Sequence, residues 1–116
     1  MITGNVLFHI TSRSEWEHAL QLGAYRPSSM RDEGFIHLST AEQWPRTAAR
    51  FFRGRLGLVL LTIDPSALAS EVRYEWADGE RFPHLHGPLE TSAVVLVETL
   101  VPDAEGLLHI APRETL

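Results

Sequence analysis

Six histidines, with no cysteine and no lysine beside them, set the chemistry open to this 116-residue chain. Without thiols there is no disulfide, no thiolate nucleophile and no Cys-ligated zinc or iron–sulfur centre. Without lysine, Schiff-base catalysis and a Walker-type phosphate lysine are excluded, and all ten basic residues are arginine. Imidazole is left as the group able to act as donor, base or ligand near neutral pH. His18 lies among charged residues and reads as a surface group, and His109, with apolar neighbours, reads as structural. His9, His37, His84 and His86 remain. Together with Ser39 and Thr40 they form the candidate lining of one cleft.

His84-x-His86 has the spacing that puts two rings on one face of a strand, which suits two zinc or iron ligands. A third ligand would have to come from His37, His9 or Glu90. The stretch FPHLHGPL is turn-like, so a metal-binding protein using His84 and His86 stands as an alternative and no metal is expected. A serine hydrolase is not expected, because no Gly-x-Ser-x-Gly elbow occurs and Ser39 reads as a helix cap. No Gly-rich phosphate loop of Rossmann or Walker type is present either.

The elements that must position these groups follow from periodicity. Val6, Phe8 and Ile10 alternate with Leu7, His9 and Thr11, the period-2 pattern of a strand, which sets His9 on the face opposite Phe8. Ser12-x-x-Glu15 has capping-box form, Trp16, Ala19 and Leu20 give a helical stripe, and Gly23 is a natural stop. AYRPSSMRDEG reads as a loop. GFIHLST reads as a buried strand with Phe35, His37 and Ser39 on one face and Ile36 and Leu38 on the other. Ser39 or Thr40 is expected to cap a second helix, Ser39-x-x-Glu42 having capping-box form, and in that helix Trp44, Ala48, Phe51 and Phe52 face the core. Pro45 predicts a kink or short break there, and Arg46, Arg50 and Arg53 read as a solvated face. LGLVLLTID predicts a central strand covered on both sides, and EVRYEW another strand. ADGERFPHLHGPLETS is expected to be turn-rich, SAVVLVETLV to be a strand, and LLHIAP a terminal strand at an edge.

This order predicts an α+β fold with two early helices, a single compact domain over residues 1–116. The chain is 44% hydrophobic and 22% charged, so it is expected to fold around one modest core. A net charge of −5 argues against general nucleic-acid binding. No apolar run approaches a membrane span and no secretion signal is evident at the start, which fits a cytoplasmic protein with no membrane partner.

VLFHITSRSEWEHAL, GFIHLSTAEQ, FFRG, LVLLTIDP and GERFPHLHGPL together resemble the bacterial family known as domain of unknown function 952, over nearly the whole chain. That family in turn resembles the ADP-ribosyltransferase fold, nearest to the RNA 2′-phosphotransferases, and the resemblance implies mixed β-sheets of that type. It also implies NAD or a related nucleotide as co-substrate, with His9 and His37 as a catalytic pair holding the ribose from neighbouring strands. Ser39 and Phe35 are the implied further contacts, with Trp44 as an alternative stacking partner for the nicotinamide. The His86-Gly87 turn resembles the phosphotransferases' Asn-Gly turn and implies His86 as another cofactor contact, and an apolar residue near Leu89 takes the third signature position. Arg50, Arg53 or Arg81 would meet pyrophosphate or an anionic acceptor. Phe8 stands where the phosphotransferases carry arginine, and their nucleic-acid-binding half is missing, so RNA is not expected as acceptor. A non-catalytic small-ligand or protein-binding domain is the other reading. The geometric expectation is that His9 and His37 face each other across neighbouring strands.

Overall fold

The computed structural model describes residues 5–112. Strand β1 (Leu7–Ser12) runs straight into helix α1 (Arg13–Leu22), because the Ser12 hydroxyl accepts from the Glu15 N–H at 3.1 Å. Trp16 and Ala19 are its buried stripe, and Gly23 ends it at φ 80°, where an L side chain would be strained. Strand β2 (Ala24–Tyr25) follows. The segment expected as a loop then forms a short helix, α2 (Ser28–Glu33), entered through Pro27 and closed at Gly34. None of its residues is buried, so its composition carries no apolar stripe to announce it.

Strand β3 (Ile36–His37) begins the segment that holds the molecule together. On one side it pairs with β6 (Glu80–Leu85), placing His37 opposite His84. On the other, Ser39 and Phe8 exchange both backbone hydrogen bonds at 2.8 Å, which ties this segment to β1. Ser39 is therefore a bridge between two sheets and not a helix cap, and the next helix has Gln43 at its N-cap with no side-chain capping bond. The Gln43 side chain accepts from the Thr40 N–H at 3.0 Å. Helix α3 (Trp44–Phe51) starts one turn later than expected, so Pro45 lies in its first turn and produces no kink.

Strands β4 (Leu58–Ile63), β5 (Val72–Ala77), β7 (Leu89–Glu90), β8 (Val94–Pro102) and β9 (Leu108–Ile110) complete the fold. The strands form three sheets, ordered β1-β4-β8-β9, β3-β6-β5 and β2-β7, with every pairing antiparallel. The α+β class is as expected, with three helices rather than two. The middle of the stretch expected to be turn-rich is strand β6. Asp78 and Gly79, at φ 53° and 86°, make the two-residue turn that joins it tightly to β5. Pro83 sits inside β6, where its carbonyl accepts from Leu38 at 2.9 Å but no N–H can return the bond.

Strand β4 is buried along its whole length. Val59, Leu61 and Ile63 pack into a cluster with Trp16, Ile36, Leu38 and Leu85, while Leu58 and Leu60 pack on the other face with Ala48 and Leu100. Each such side chain contributes on the order of 2 kcal/mol by burial. The continuous apolar run in β4 is the consequence of covering both faces.

Candidate functional site

A cleft of about 320 Å³ opens between helix α3 and the β5–β6 hairpin. Its floor is His9 and Ile10 from β1 together with His37, Leu38 and Ser39. Thr47, Phe51 and Phe52 form one wall, and Ala77, Asp78 and Phe82 the other. The Phe8–Ser39 bridge sets this geometry, since it brings the two histidine-bearing strands to one seam. Ser39 is 7% exposed.

His9 is wired into the protein at both nitrogens. Nδ1 lies 2.6 Å from the His37 carbonyl, which can only accept, so Nδ1 carries the proton. Nε2 lies 2.8 Å from the Tyr25 hydroxyl, which is 3.0 Å from the Thr11 hydroxyl, itself 3.0 Å from Glu15 Oε2. Burial, partly opposed by the bond to His37, holds the His9 pKa down to about 4, and the ring is neutral at pH 7. Burial likewise pushes Tyr25 up to about 12. With Thr11 donating to the carboxylate, the single Tyr25 proton is contested between Nε2 of His9 and Thr11. The chain has one proton fewer than it has contacts. Its far end meets a second groove of about 260 Å³, lined by Glu15, His18 and Tyr25 among others.

His37 borders the same cleft, but the two rings do not face each other. In the local register Ser39 opposes Phe8, so His37 and His9 approach the seam from alternate faces. The His37 Nε2 turns to Glu33 at 3.0 Å, and its ring meets Phe35 and His84 edge-on, with centroids 4.9 and 5.3 Å away. His9 reaches His37 through backbone rather than ring to ring.

Four expected contacts lie elsewhere. Phe35 stacks on His84 at 4.0 Å and packs near His86, behind the cleft rather than in it. His86 Nε2 is 2.8 Å from Glu75 Oε1, the same oxygen that lies 2.9 Å from His84 Nδ1. Leu89 is fully buried opposite Tyr25 and belongs to the apolar core, which removes it from any ligand surface. Trp44 packs on Phe8 below the wall of the cleft, with centroids 6.4 Å apart.

The i, i+2 histidines do share a face, as their spacing predicted, but both aim at a carboxylate. Hydrogen bonds from His86 and His84 hold the Glu75 carboxyl below the usual range. A proton on His84 Nδ1 leaves Nε2 as a bare lone pair, buried without a partner. Of the third ligands sought for a metal, His37 is with Glu33 and His9 with Tyr25, while Glu90 Oε2 takes the Ala69 N–H at 3.3 Å and its Oε1 is buried with no partner among the described residues. Among the described residues no three His, Cys, Asp or Glu side chains are grouped to hold a metal ion.

The arginine face of α3 is exposed but not idle. Arg46 pairs with Glu80 at 2.7 Å, Arg50 with Asp78 at 3.4 Å, and Arg53 donates to the Glu105 carbonyl at 2.8 Å. Periodicity assigned Phe51 to the core, yet it is 55% exposed and forms cleft wall. Phe51, Phe52, Thr47, Asp78 and Phe82 escaped sequence reading because nothing local distinguishes them from packing or turn residues. Tyr25 also escaped it, because it lies in the stretch AYRPSSMRDEG, whose composition reads as a loop.

No helix among the described residues is long and apolar enough to cross a membrane. No curated protein matches the chain. The crystal structure of protein CC0527 from Caulobacter crescentus is 39% identical, with a TM-score of 0.82 over 90% of this chain and 93% of that one. The solution NMR structure of CC0527 superimposes with a TM-score of 0.78 at 39% identity, over 88% of this chain and 90% of that one. The family described as protein of unknown function (DUF952) matches residues 10–97, a span that holds His37, Ser39, both walls of the cleft and the Glu75 cluster. This chain belongs to that family.

Proposed function

We propose that the cleft binds NAD or a related nucleotide, with His9, His37 and Ser39 toward the ribose and the phenylalanines against the base. The observation that carries this reading is the meeting of His9, His37 and Ser39 on the floor of one cleft walled by Phe51, Phe52 and Phe82. A flat ring bearing a sugar matches such a lining, and the volume is at the lower end for small-molecule sites. The cleft suits a ring and one sugar, with the rest of a dinucleotide lying over the rim. An ADP-ribosyltransferase-like fold is part of the same reading, as is a cytoplasmic location, where NAD is plentiful.

Transfer of ADP-ribose would break the C1″–nitrogen bond, with nicotinamide leaving on the electron pair and an acceptor oxygen or nitrogen bonding to C1″ as it loses its proton. The protein's part would be to hold the sugar and aim the acceptor. Ser39 and His37 offer direct contacts. His9 would have to exchange Tyr25 for a ribose hydroxyl at Nε2. The acceptor is left open.

Isothermal titration with NAD and with ADP-ribose tests binding. Saturable heat in the micromolar to millimolar range, lost in the double variant His9→Ala, His37→Ala, is the expected result. Absence of binding at millimolar ligand, or unchanged binding in the double variant, would overturn it. Binding without turnover is favoured by one observation. Both His9 nitrogens are engaged, and Asp78, the one carboxylate lining the cleft among the described residues, is ion-paired. Nicotinamide release under single-turnover conditions separates the two readings.

A further inference from the structure

We infer that Arg50 is the anion-recognition residue of this cleft, and that Asp78 occupies it in the free protein as a stand-in for a phosphate of the ligand. The inference rests on the cleft being the ligand site. It adds the residue that meets the ligand's phosphate and an internal competitor for that residue.

The two walls are tied by two ion pairs of unequal quality. Arg46 forks onto Glu80 at 2.7 and 3.2 Å, and the Gln43 amide adds 3.0 Å to the same carboxylate and 2.8 Å to the Arg81 carbonyl. This is a latch. One turn further along α3, Arg50 meets Asp78 through a single contact of 3.4 Å, well beyond the 2.7–2.9 Å of a good charge-assisted bond. Its guanidinium lies 5.1 Å over the Phe51 ring, and it has no other hydrogen-bond partner among the described residues. Phe51 and Asp78 both line the cleft, so this loosely held cation sits at the rim with most of its donors free.

Both partners are exposed, so the pair contributes little, and a phosphate offering two oxygens to the planar fork would displace Asp78. The alternatives are turned to groups that do not line the cleft, Arg53 donating to the Glu105 carbonyl and Arg81 lying 5.5 Å over the Trp76 ring. Asp78 sits at φ 53°, a conformation that Asn tolerates as well as Asp. Replacing it by Asn therefore removes the competing charge and keeps the turn.

Two probes are titrated against Asp78→Asn, Arg50→Gln and Arg46→Gln, with folding checked by circular dichroism. ADP-ribose reports the whole site, and inorganic pyrophosphate reports the anion subsite alone. Asp78→Asn is expected to bind each probe about threefold tighter. Arg50→Gln should bind each about tenfold weaker, and Arg46→Gln should lower the melting temperature with less than twofold change in affinity. If ADP-ribose fails but pyrophosphate binds in this order, the nucleotide reading falls and the anion subsite stands. Affinity that does not rise in Asp78→Asn, or does not fall in Arg50→Gln, overturns the inference, as does failure of Asp78→Asn to bind either probe.

Discussion

His9 and His84 are both drawn into the protein and hydrogen-bonded, yet their surroundings ask opposite things of them. His9 faces a carbonyl, a hydroxyl chain and the cleft, and burial keeps it neutral. His84 faces a carboxylate shared with His86 and lies under Phe35. The first is short of a proton and borders open space, the second is packed and anchored to a strand. A histidine poised over a cleft with an unsettled proton has the makings of a functional group, whereas one stacked and tied to Glu75 has those of a structural one. The short His84-x-His86 motif looked more chemical in sequence, and the isolated His9 proves the more chemical in space.

The contrast can be broken at several points. The largest effect is expected for His84→Ala, which empties a packed site under Phe35 and strips Glu75 of a partner. A loss of about 3 kcal/mol in urea denaturation would mark it as structural, and a loss below about 1 kcal/mol would contradict the packing argument.

Acid separates the two regions next. The folded pKa of His9, about 4, lies below its ordinary 6.5, so the unfolded chain binds the extra proton first. Its contribution to stability is whole above pH 6.5 and is lost as pH falls toward 4, by roughly 2 kcal/mol after allowance for its partial exposure. His9→Gln should flatten the stability profile in that window. Glu75, whose carboxyl is depressed, acts in the other window, its contribution present at neutral pH and lost only as pH falls below about 4.5. A profile in which His9→Gln leaves the 4–6.5 slope unchanged would argue that the ring is not neutral when folded.

Tyr25→Phe should cost about 1 kcal/mol, since it leaves His9 Nε2 and Thr11 without the hydroxyl that joins them. Nitrogen chemical shifts of His9 should then report a changed tautomer or protonation state, while those of His84 stay as they were. The smallest effect belongs to Glu75→Gln, expected to leave the urea midpoint almost unchanged, because the amide oxygen still accepts from both rings at a partly exposed position. A larger cost there would make the carboxylate charge itself essential to the cluster.

Much of the fold was legible because burial writes itself into local pattern. The unbroken apolar run of β4, the alternation of β1 and β5, the Ser12 cap and the Gly23 stop each answer to a periodicity or a backbone preference. Helix α2 was missed because it buries none of its residues, and β6 because Pro83 and the turn residues around it mask a strand completed by its neighbours. The candidate site was half legible. His9, His37 and Ser39 could be singled out by type, whereas His86, grouped with them by type, Phe35, grouped by strand face, and Leu89, placed by resemblance, are all sent elsewhere by packing.

What this sequence determined alone was its chemical vocabulary and its elements: imidazoles without thiols or lysines, arginine as the sole permanent cation, and strands and helices in a set order. Side-chain type and local periodicity are properties of the chain itself, so they survive without a fold. The cleft was settled at the tertiary level by one backbone bridge, Phe8 with Ser39, and by a two-residue turn that carries Asp78 to Arg50 across 28 positions. Contacts of that range depend on which strands become neighbours, and the hydrophobic effect that chooses them acts on the whole core at once.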